Sequence, residues 1–72
     1  MTTTKLEIEG MSCDHCVRAV TGALEGVTGV ERAEVDLQAG RARVEHDPLR
    51  AGVDQLLAAV AEEGYAAHLA AP

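Results

Sequence analysis

Apolar side chains recur along this chain in a fixed succession of periods: two, then three to four, then two in two successive runs, then three to four again, and finally two. That succession constrains the fold more than any single residue does. Leu6 and Ile8 alternate with Lys5, Glu7 and Glu9, which predicts a strand that buries one face and stops at Gly10. Val17, Val20, Leu24 and Val27 share one face of a helix that begins near Cys16 and is ended by Gly26 and Gly29. On either side of Gln38-Ala39-Gly40, Val35 with Leu37 and Ala42 with Val44 alternate with charged residues, which predicts a hairpin. After Pro48, the residues Val53, Leu56, Leu57 and Val60 mark a second amphipathic helix that Gly64 caps. Tyr65, Ala67 and Leu69 then predict a short last strand.

The order βαββαβ runs without a linker or low-complexity stretch, so a single domain is expected over residues 1–72. The expected architecture is α+β: an open-faced sandwich of four antiparallel strands with two helices on one face. Leu6, Ile8, Val35, Leu37, Val44 and Leu69 would lie against the helices, and the charged strand residues would face solvent. The start of the first helix and the loops before Cys13 and Tyr65 would gather at one end of the sheet.

Apolar residues make up 47% of the chain, but with one Tyr and no Phe or Trp the core is aliphatic and thin. Enclosing a small molecule takes roughly 300 Å³ or more, so catalysis is not expected. The formal charge of −6 and the scatter of Lys and Arg from Lys5 to Arg50 count against nucleic acid as a partner. The polar stretch Met1-Thr2-Thr3-Thr4-Lys5 leads straight into the first strand, so neither membrane insertion nor a signal peptide is expected and the cytoplasm is the expected location. In that reducing compartment, two cysteines three positions apart point to metal binding or redox chemistry rather than to a structural disulfide.

The chemistry centres on Gly10-Met11-Ser12-Cys13-Asp14-His15-Cys16, where a strand runs into a loop and then a helix. Two cysteines at this spacing can turn both sulfurs to a common point, and unpaired N–H groups at a helix start favour the thiolate. Soft thiolate suits copper(I), which accepts as few as two ligands, whereas structural zinc usually takes four. The segment resembles the GMxCxxC signature of heavy-metal-associated domains, found in copper chaperones and in the N-terminal modules of copper-transporting P-type ATPases. Val17, Val20, Gly29-Val30, Asp47-Pro48 and Glu63-Gly64-Tyr65 extend the likeness over almost the whole chain. Tyr65 resembles the bacterial members, since eukaryotic copper chaperones usually carry lysine near that position.

The resemblance implies a ferredoxin-like fold and a metallochaperone. Such a protein would hold Cu(I) between Cys13 and Cys16 and pass it by ligand exchange to a copper-transporting P-type ATPase or another copper-accepting protein. Asp14 lies between the cysteines, whereas zinc-transporting relatives tend to carry an aspartate directly before the first one. Met11 is expected to pack and anchor the loop, Ser12 and Asp14 to cap the helix, and Tyr65 to screen the thiolates from water. His15 is expected to face solvent, yet it is placed to add a ligand if excess copper bridges two copies of a protein that is monomeric without metal. His46 and His68 read as structural or surface residues, and Glu62 and Glu63 as a solvated charge pair. Two alternatives remain open: a thiol-disulfide redox protein, which needs the same low-pKa thiolate, and a module of the same family that binds zinc or mercury.

Overall fold

The computed structural model describes residues 1–70, which form β1 (Thr2–Glu9), α1 (Asp14–Glu25), β2 (Val30–Asp36), β3 (Arg41–His46), α2 (Val53–Glu62) and β4 (Ala66–Leu69). The strands make one sheet in the order β2-β3-β1-β4, and every neighbouring pair is antiparallel. Both helices cover the same face. Leu6, Ile8, Ala33, Ala42 and Val44 of the sheet meet Val20 and Leu24 of α1 and Leu56 and Val60 of α2 in one buried cluster. This is the expected ferredoxin-like βαββαβ arrangement.

The boundaries differ from the expected ones for physical reasons. β1 begins at Thr2 rather than Lys5, because the β-branched Thr2, Thr3 and Thr4 pair with His46, Glu45 and Val44 of β3. α1 begins at Asp14, two residues ahead of Cys16, with Cys13 as its extended N-cap. β2 begins at Val30, where a register shift between Val30 and Arg32 breaks the alternation that would have revealed it. The residue β2 buries is Ala33; Val35 is half-buried, and Leu37 falls in the hairpin turn instead of the core. Leu69 stands opposite Leu6 in register but is 55% exposed, because β4 is an outer strand of the sheet.

His46 is a satisfied core residue, only 1% exposed. Its Nδ1–H donates to the Ala51 carbonyl at 2.7 Å, so its Nε2 accepts from the Thr4 hydroxyl, also at 2.7 Å. The ring thereby ties β1 and β3 to the loop that leads into α2. His68 lies on the open face of the sheet, 3.5 Å from a Glu7 carboxylate oxygen. Among the described residues no helix is long and apolar enough to cross a membrane.

Candidate metal centre

The cysteine loop is built by the way β1 ends. Gly10 follows Glu9 with φ +94, a value that residues with a Cβ seldom adopt, and turns the chain off the sheet. Met11 packs against the core beside it, as expected, and anchors the loop. The Cys13 carbonyl accepts the N–H groups of Cys16 at 3.0 Å and Val17 at 3.3 Å, closing the first turn of α1. That turn sets the two sulfurs 3.6 Å apart, with Cys13 exposed and Cys16 half-buried. Contrary to expectation, neither Ser12 nor Asp14 caps the helix through its side chain; Cys13 occupies the N-cap without a side-chain hydrogen bond.

The Cys16 thiol is lowered from its ordinary value of 9.0 to about 6. The largest cause is the backbone N–H of Ser12, and the Tyr65 hydroxyl comes second; partial desolvation opposes them, and the Cys13 thiol and amide add to them. Tyr65 is raised in return, first because its proton is shared with Cys16. The lowering expected from a helix start is therefore present, but the loop amide and the tyrosine produce most of it. The ring that delivers this hydroxyl lies beside the loop, since a Cβ on Gly10 would stand 3.5 Å from Tyr65 Cδ1.

A Tyr65→Phe variant is accordingly expected to raise the Cys16 pKa while leaving it below the ordinary thiol range, because the Ser12 amide remains. Alkylation rate followed against pH measures this; an unchanged value would mean that the hydroxyl does not stabilise the thiolate.

The residues singled out in the sequence separate clearly. Cys13, Cys16 and Tyr65 come together at one end of the sheet, and Met11 underlies them. His15 is exposed on the first helical turn, and Glu62 and Glu63 are exposed at the end of α2. Among the described residues, no group of three or more His, Cys, Asp and Glu side chains is placed to hold a metal. The loop thus offers two sulfurs from one side and stays open on the other, a donor set that suits a soft monovalent ion better than a closed four-ligand site. The Ser12 amide was missed in the sequence, because a backbone group leaves no residue-type signal and only the loop conformation reveals it.

Fold and loop together define a class of small βαββαβ modules that present two neighbouring thiols on an exposed loop. The heavy-metal-associated domain model matches residues 5–66, and the chain belongs to that family. It is 47% identical over 60 residues to the copper chaperone CopZ of Staphylococcus haemolyticus (strain JCSC1435), which covers 83% of this chain and 88% of that one. A copper-binding domain from HMA7, a P-type ATPase, superposes with a TM-score of 0.96 at 31% identity, over 99% of this chain and 96% of that one. A CopZ metallochaperone superposes with a TM-score of 0.90 at 37% identity, over 93% of this chain and 100% of that one.

Proposed function

We propose that this protein is a cytoplasmic copper(I) chaperone of bacterial type, a carrier and not an enzyme. Its cargo would be held between Cys13 and Cys16 and passed to a copper-accepting protein such as a copper-transporting P-type ATPase. Residues 1–72 would form a single carrying domain. The observation that carries this reading is the exposed pair of sulfurs 3.6 Å apart, one of them a thiolate near neutral pH. The likeness to copper chaperones supports copper as the metal, and the two-sulfur donor set supports its monovalent state. Because the site is open, an incoming thiolate could bridge before either protein sulfur leaves, so the ion would move without being free in solution.

Anaerobic purification from copper-supplemented cells followed by elemental analysis tests the proposal. About one copper per chain is expected, and zinc or no metal would overturn it. The same thiolate pair also suits disulfide exchange, and a protein that arrives metal-free but oxidised would favour that reading. Excess copper(I) is further expected to draw monomers into dimers through shared sulfurs, with His15 adding a ligand. Native mass spectrometry across a copper titration checks this: His15→Ala should weaken the dimer, and a protein that stays monomeric at every loading would rule the bridge out.

A further inference from the structure

Four of the six cations of this acidic chain, Lys5, Arg32, Arg41 and Arg43, lie on the open face of the sheet. Their rows follow an almost complete rule of opposite charges across strands. Arg32 is paired with Glu45, Glu34 with Arg43, Asp36 with Arg41, and Arg41 with Glu7, which in turn faces His68. The exception is central: Lys5 of β1 stands directly opposite Arg43 of β3. Like charges at facing positions repel and destabilise the pair.

The neighbouring carboxylates relieve this repulsion only in part: Glu34, opposite Arg43 in register, is attracted to it but bonds elsewhere. Glu34 accepts hydrogen bonds from the Arg32 guanidinium, and Glu7 lies 3.8 Å from Arg41 and 3.5 Å from His68. Among the described residues neither Lys5 nor Arg43 forms an ion pair. Both line a depression of about 670 Å³ whose wall also includes Arg41 and the carboxylates of Asp14, Glu34 and Asp36. A local rule broken at one spot on an otherwise consistent surface is the pattern of a site kept for function at some expense of stability.

We propose that this face binds a single carboxylate, carried on an otherwise neutral segment of a partner protein, at Lys5 and Arg43. The planar fork of Arg43 matches a carboxylate, and the lysine opposite supplies a second point charge on the same anion. Glu7, Glu34, Asp36 and Glu45 surround the pair, so a continuous polyphosphate would be repelled while an isolated carboxylate could be seated.

Amide shifts of isotopically labelled apo protein, titrated at low salt with a short peptide that carries one glutamate among glycines, test it. Saturable shifts are expected at Lys5, Arg41 and Arg43 and should fade as salt is raised. Lys5→Thr should weaken binding about five- to tenfold, the loss of one charge-assisted contact, and should raise the thermal midpoint by removing the repulsion. Arg43→Gln should weaken binding similarly. Absence of saturable shifts, binding unchanged in both variants, a lowered midpoint in Lys5→Thr, or tighter binding of single-stranded oligothymidylate would each overturn the proposal.

Discussion

Cys16→Ser is expected to lower copper(I) affinity by at least about a thousandfold, well beyond the ~10–100-fold that residues behind the ligands of a metal site usually contribute. A two-coordinate ion that loses one thiolate has lost half its ligands, and a serine hydroxyl neither ionises near neutral pH nor offers soft sulfur. Cys13→Ser should fall comparably. With a pKa of about 6, Cys16 is about nine-tenths thiolate at pH 7, so metal binding there displaces little proton. Competition against a copper(I) chelator measures the loss, and wild-type affinity in either variant would remove these sulfurs from the site. The fold should survive both changes, because the core beneath the loop is complete without metal.

The lowered pKa also gives the apo protein a signed pH dependence. A thiol whose folded pKa lies below its unfolded value stabilises the fold when ionised. For Cys16 that contribution is fully present above about pH 9 and is lost as the pH falls towards 6. Cys16→Ser should abolish this contribution as well as weaken copper binding, so the same variant reports on both properties.

How much of this was legible beforehand depends on whether a property resides in side-chain type or in backbone geometry. Both helices declared themselves because Val20 with Leu24, and Leu56 with Val60, are spaced for one buried face. β2 was only half legible, since the register shift near Glu31 puts Val30 and Ala33 out of phase and small Ala33 carries little apolar signal. Leu37 misled because the hairpin turn begins directly after Asp36, before the alternation ends, and Leu69 because alternation reports the side of a sheet and not whether anything covers it. At the site, the paired cysteines were plain, and Tyr65 was found through its place beside the loop. The Ser12 amide and the facing of Lys5 and Arg43 were not, since they depend on loop path and strand register.

Gly29→Ala is expected to cost about 3 kcal/mol, a large share of the ~4–10 kcal/mol that a domain of this size usually has. Gly29 holds φ +101, a backbone conformation that a residue with a Cβ rarely adopts. The added methyl would also stand 2.7 Å from Arg50 Cβ, 3.0 Å from the Ala51 nitrogen and 3.1 Å from Ala51 Cβ. Two of these neighbours cannot swing aside, because Ala51 is fully buried and its carbonyl accepts the His46 ring. Any shift of that loop also strains the 2.8 Å bond from the Asp47 N–H to the Gly29 carbonyl. The same substitution at Gly22 is the internal control: it lies in α1, where the added methyl would meet nothing within 4 Å beyond its own stretch of helix, so Gly22→Ala should stabilise by about 0.5–1 kcal/mol. Urea denaturation of the two variants should therefore move the midpoint in opposite directions. A Gly29→Ala protein as stable as wild type would mean that the loop between α1 and β2 yields far more easily than its contacts with Arg50 and Ala51 imply.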